Sequence, residues 1–156
     1  MRKSEAFVMI FFNRKLLYPA KPNKDSSKAF DNAFRTYKQH LESIRNELPD
    51  DAWKLACLSF HDTRVTSVTQ PSKREIEISL SGPVYDLIRD GWMKGRTTRL
   101  HFYDARKIWV PQSIINDFWL YEEIHLSDIA AFDYQAMLSK DEIRVQANEV
   151  DIFIGN

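Results

Sequence analysis

The chain of 156 residues carries 22 Lys plus Arg against 22 Asp plus Glu, a formal net charge of zero. That balance lacks the basic excess typical of a nucleic-acid binder. Hydrophobic residues at 44% and aromatics at 13% exclude disorder over most of the length. The length suits one domain, 1–156, with a helical part over about 10–58 and a β part over about 61–154.

The N-terminal run Ala6–Phe12 (AFVMIFF) follows Arg2 and Lys3, as the apolar part of a signal peptide would. It is only seven residues long, and Asn13, Arg14 and Lys15 follow it without a small-residue cleavage site. It is also far too short to span a membrane. It reads as a structured N-terminal element of a cytoplasmic protein. Pro19–Lys24 (PAKPNK) is a breaker, and Asp25, Ser26 and Ser27 are acceptable helix caps.

Phe30, Phe34, Tyr37, Leu41, Ile44 and Leu48 then recur at steps of four and three, one apolar stripe at helical period. Such a stripe predicts core packing. On the polar face Asp31 and Arg35 are placed to pair at i, i+4. Pro49 ends the helix, and Asp50 or Asp51 caps a shorter one through Trp53, Leu55 and Leu58. Cys57, the only cysteine, lies in that second apolar run. A single cysteine excludes an intrachain disulfide and a Cys-based zinc site, and here it reads as a small buried hydrophobe.

From Thr63 the character changes. Thr63–Thr69 is rich in β-branched residues, Gln70–Lys73 reads as a turn, and Ile76, Ile78 and Leu80 alternate with polar residues. The pair predicts a hairpin. Val84–Met93 fits either a short helix or a long connection. Thr98–Tyr103 and Ile108–Val110 read as two strands. Trp119–Leu126, Phe132–Leu138 and Ile143–Ile154 follow as strands with short connections, and Lys140-Asp141 is the expected tip of the last hairpin. That tip lacks the glycine a tight turn prefers. Helices first and strands after predict an α+β fold. N-terminal helices would pack on a mainly antiparallel sheet or partly open barrel formed by about 61–154.

"FHDTRV" at 60–65, "WLYEEIHLSD" at 119–128 and "YQAMLSKDEIRVQANEVDI" at 134–152 together carry a resemblance. The combination resembles a family of small bacterial proteins of unknown function. In that family a helical part precedes a sheet that opens with Leu-His-Asp and closes with an acidic aromatic strand and a hairpin. The likeness covers most of Phe11 to Ile152. Phe60 stands where the family pattern has Leu, and the last hairpin lacks the usual Gly. The resemblance implies the α+β architecture and no particular activity.

Two constellations merit chemical attention. His61-Asp62 lies where the helical part hands over to the β part. A metal phosphohydrolase built on such a pair needs further ligands on helices, whereas His61 begins a strand. The pair therefore reads as a structural polar joint that satisfies backbone groups at a change of direction. In Trp119–Leu126, strict alternation places Leu120, Glu122, Ile124 and Leu126 on one face, taken as the core side. Glu122 then needs a partner or a raised pKa, with Arg64, Arg99 or His61 as candidate partners. Trp119, Tyr121, Glu123 and His125 share the other face, either a contact surface or the floor beneath the long helix.

There is no Gly-rich phosphate loop, no Gly-x-Ser-x-Gly elbow and no His-Glu-x-x-His motif. The sequence favours a non-enzymatic protein-binding module, an immunity-type protein being one example. Trp119, Tyr121, Glu123 and His125 are its candidate contact residues, and His61, Asp62 and Glu122 its polar joint. No catalytic residue, metal, cofactor, nucleic acid or membrane is expected. The alternative is a hydrolase-type enzyme with a His/carboxylate or metal site. A third reading, a small-molecule binder, requires a pocket of a few hundred cubic ångströms.

Overall fold

The computed structural model describes residues 9–17 and 24–156. Ala6–Val8 and most of the Pro19–Lys24 breaker lie outside them. Arg14–Leu17 forms a single turn, α1, and Lys24–Ile44 forms the long helix α2. Asp25, Ser26 and Ser27 lie within the helix described from Lys24. The predicted stripe faces inward through Tyr37, Leu41, Ile44 and Leu48, but Phe34 remains exposed. Arg35 donates to Asn32 Oδ1 at 2.6 Å, an i, i+3 partner taken in place of Asp31.

A 3₁₀ turn, Arg45–Glu47, follows α2, and Pro49 then serves as N-cap residue of α3, Asp50–Ala56. Asp51 does more than occupy the first turn. Its Oδ2 accepts from the Val150 N–H at 2.8 Å, which ties the start of α3 to the last strand.

Nine strands follow: β1 (Leu58–Ser59), β2 (Arg64–Ser72), β3 (Glu75–Ser81), β4 (Tyr85–Asp86), β5 (Gly91–Trp92), β6 (Thr97–Trp109), β7 (Trp119–His125), β8 (Phe132–Leu138) and β9 (Glu142–Gly155). β1, β4 and β5 make a small sheet. The other six make an antiparallel sheet in the order β2-β3-β6-β9-β8-β7. The fold is α+β. The large sheet is not closed into a barrel, although its two edges touch at one end. There the Val65 N–H donates to Asp117 O and the Trp119 N–H to Thr63 O, around an isolated bridge between Arg64 and Phe118.

Three sequence expectations change in detail. β2 runs through Gln70–Ser72, so the chain reverses at Lys73-Arg74. Val84–Met93 is neither helix nor plain connection but the two short strands β4 and β5 with a turn between them. The two strands read at Thr98–Tyr103 and Ile108–Val110 are one, β6, paired along β9 with a register shift between Ala105 and Lys107. The shift resets the two-residue alternation and so hides the strand's continuity.

The apolar sides of the sheet meet in one cluster that includes Phe60, Phe102, Phe132, Tyr134 and Trp119. All seven residues of β8 are buried. Phe132, Tyr134, Ala136 and Leu138 join the apolar cluster. On the opposite side Asp133 pairs with Arg144, whose Nη2 lies 2.6 Å from Asp133 Oδ2. The glycine-free connection between β8 and β9 is held by side chains. Asp117 accepts from the Lys140 N–H at 3.0 Å, and Arg14 donates to the Ser139 carbonyl at 3.0 Å. No helix among the described residues is long and apolar enough to cross a membrane.

Candidate functional site

β7 is an edge strand, and an unprotected edge offers free N–H and C=O groups to other chains. Here three side chains occupy that edge. The Ile124 N–H donates to Tyr37 Oη at 2.8 Å, and His40 Nε2 lies 3.1 Å from the Ile124 carbonyl oxygen. His61 Nδ1 lies 2.7 Å from the Leu120 carbonyl oxygen. A carbonyl only accepts, so these contacts place the ring protons on His40 Nε2 and His61 Nδ1. Burial and the nearby His125 ring lower the pKa of His40, the bond to Ile124 opposing them.

Between these clamps the edge borders a cleft of about 640 Å³. α2 supplies Phe30, Phe34 and Leu41, and α3 supplies Trp53 and Ala56. The β4–β5 hairpin supplies Tyr85, Leu87, Ile88 and Trp92, while Tyr121 and Glu122 form the β7 side. Trp92 is 67% exposed and Ile88 64%, so the hairpin forms an open apolar rim.

Two acids line this cleft, Glu42 at its exposed side and the half-buried Glu122. Glu122 Oε1 accepts from the Phe60 N–H at 3.2 Å and its Oε2 from Trp119 Nε1–H at 3.0 Å. Burial pushes its carboxyl from the usual 4.5 up to about 8, against the pull of those two bonds. That shift favours the protonated acid over the carboxylate. None of the cations considered from sequence reaches it. Arg99 pairs with Glu77, His61 turns to Leu120, and no ion pair among the described residues includes Glu122.

Strict alternation along β7 fails at its start. β7 spends two residues, from Trp119 to Tyr121, while β8 advances one, from Leu138 to Met137. This bulge turns Trp119 to the Glu122–Ile124 side, where it is fully buried. Glu123 is fully buried as well. Its carboxylate accepts from the backbone N–H groups of Ile10 at 3.1 Å, Phe11 at 2.9 Å and Phe12 at 2.7 Å, and lies 2.9 Å from His125 Nε2. It clamps the N-terminal segment against β7. Trp119 and Glu123 therefore cannot meet a partner in this conformation. Tyr121 and His125 stay partly exposed, with Tyr121 stacked on Phe12 and His125 on Phe11.

His61 and Asp62 form a turn after β1 instead of opening a strand, with Asp62 at φ 68°. The Asp62 N–H donates to the Trp119 carbonyl at 2.8 Å, joining the turn to the start of β7. His61 stacks on Tyr121, with ring centroids 5.0 Å apart, and its Nε2 lies 3.5 Å from Asp62. No hydrogen bond or ion pair among the described residues joins His61-Asp62 to Glu123 or His125. No group of three His, Cys, Asp or Glu among them is placed to hold a metal.

Sequence reasoning missed the cleft itself. Its one available signal was the aromatic end of the α2 stripe, Phe30, Phe34 and Tyr37, which is richer in rings than a short helix contact needs. The hairpin rim gave no signal, because Val84–Met93 has no periodicity.

No curated protein and no solved structure matches the chain. A family model does, over residues 18–142, a span that includes both glutamates, the His61-Asp62 turn and the hairpin rim. The chain belongs to the family described as "Protein of unknown function (DUF4085)".

Proposed function

We propose that this protein is a non-enzymatic binding protein whose ligand is a small, largely apolar molecule held in the cleft between α2, the β4–β5 hairpin and the β7 edge. The cleft carries this reading. Its volume of about 640 Å³ lies within the range of small-molecule sites, and its walls are mainly rings and aliphatic chains with a few polar groups, Glu122 among them. Catalysis has less support. Burial raises the Cys57 thiol to about 11, which disfavours the nucleophilic thiolate. Among the described residues, Glu122 bonds only to the Phe60 N–H and the Trp119 ring N–H, neither a base nor a nucleophile. The face of Tyr121 and His125 is largely taken up by the N-terminal segment, so the partner surface read from sequence moves to the cleft.

The test is titration with a neutral apolar fluorophore, N-phenyl-1-naphthylamine. Saturable binding by the wild-type chain is expected. Truncating the exposed rim in Phe34→Ala or Trp92→Ala should weaken it about tenfold, the scale of one lost ring contact of about 1.4 kcal/mol. Trp109→Ala, at an exposed tryptophan away from the cleft, should leave it unchanged. Absence of binding, or equal binding by all variants, overturns the reading, and the exposed hairpin would then be examined as a protein contact.

A further inference from the structure

Resting on that reading, we propose that the ligand is an apolar primary amine whose ammonium group sits on the Glu122 carboxylate. Each Glu122 oxygen accepts one neutral donor, Phe60 N–H or Trp119 Nε1–H, and so each keeps a lone pair for a further donor. An ammonium supplies up to three N–H donors together with the positive charge this acid lacks. The walls suit the apolar remainder of the ligand, because rings and aliphatic chains such as Phe30, Leu41 and Leu87 bury apolar surface.

The other titratable groups around Glu122 do not supply its charge. The phenols of Tyr37 and Tyr134 are pushed up by burial, and that of Tyr85 by its bond to Asp90. They stay neutral with the Cys57 thiol, and the Tyr121 ring is stacked on Phe12 and His61. His61 is turned to Leu120, which leaves Lys38 and Glu42 as the charged residues lining the cleft from α2.

The protonated carboxyl and a solvated alkylammonium give an ammonium–carboxylate pair, and the carboxyl proton leaves to solvent. Near pH 7, below the Glu122 midpoint, close to one proton is released per amine bound. Affinity should therefore rise nearly tenfold per pH unit well below the midpoint of about 8, and level off above it. A ligand that accepts a hydrogen bond from the neutral acid releases none.

The experiment uses the full chain with the bound fluorophore, displaced by 4-phenylbutylamine, by 4-phenyl-1-butanol or by 4-phenylbutyrate. Calorimetry in two buffers of different ionisation enthalpy counts protons. The amine is expected to displace at least tenfold better than the alcohol and to release close to one proton at pH 7. Glu122→Gln should abolish that preference and the proton release. Equal displacement by amine and alcohol, or binding without proton release, overturns the proposal, and the wild-type proton count decides this even if the variant folds poorly. Fluorophore binding without amine preference rejects the amine and leaves the cleft reading standing. No fluorophore binding rejects both.

Discussion

Glu123 Oε2 accepts the Phe12 backbone N–H at 2.7 Å across 111 residues of sequence. With the Ile10 and Phe11 bonds, one carboxylate fixes three successive amides and seats Phe11 and Phe12 on α2 and β7. The rings confirm the seating, with Phe12 5.3 Å from Tyr37 and 5.1 Å from Tyr121. Glu123→Ala should cost about 2–4 kcal/mol, since one buried and two partly exposed amides lose their acceptor. Amide hydrogen exchange at Ile10–Phe12 should accelerate by at least a hundredfold. Unchanged protection at these three amides would show that ring packing alone holds the segment.

The two tryptophans at opposite ends of the burial scale separate core from rim. Trp119→Ala removes a fully buried ring together with the Nε1–H that bonds Glu122. It should destabilise by about 3–5 kcal/mol in urea unfolding. Trp92→Ala should change stability by less than about 1 kcal/mol. Equal effects would contradict the bulge that turns Trp119 inward.

These two residues also mark what the sequence made legible. The helical stripe, the strand–strand succession and the α+β order rest on local periodicity, and they appear in the structure with shifted boundaries. The face of Trp119 does not, because a bulge is one extra residue in pairing with β8, and pairing is not written in β7 alone. Glu122 was legible as an acid in an apolar row that needs a partner or a raised pKa. Its partners, Phe60 N–H and Trp119 Nε1–H, are a backbone group and a ring N–H, which no charge-pair search would propose. His61-Asp62 was legible as a meeting point of two halves. That it forms a turn depends on Asp62 adopting positive φ, a conformation that aspartate tolerates better than most residues.

Glu122 should make stability fall with rising pH. Its folded pKa of about 8 exceeds the unfolded 4.5, so between those values the folded chain binds more protons. Its stabilising contribution is complete below about 4.5 and is lost as pH rises through about 8, at no more than about 1.4 kcal/mol per unit. Glu122→Gln should remove this slope, raising the melting temperature at pH 8.5 and changing it little at pH 4.5. A variant whose melting curve tracks wild type across the range would contradict the raised pKa.

His40 acts in the opposite direction. Its folded pKa is lowered, so its neutral form stabilises the docking of α2 on Ile124 above the unfolded value near 6.5. That contribution is lost as pH falls through the lower folded value. His40→Gln keeps an N–H donor for the Ile124 carbonyl and does not titrate, so it should flatten the acid limb of the stability profile. Tyr37→Phe leaves the Ile124 N–H without its acceptor and should cost about 1–3 kcal/mol at every pH where the fold persists. An acid limb unchanged in His40→Gln would place the titrating group elsewhere.

On the proposed function, Glu122 is the protonated polar group of a largely apolar binding cleft. The most direct measurement follows the ¹³C chemical shift of the Glu122 side-chain carboxyl with pH, in the free chain and with 4-phenylbutylamine present. A midpoint near 8 when free, moving down as the amine binds, is the predicted result. A midpoint near 4.5 in the free chain, or one that the amine leaves in place, would contradict it.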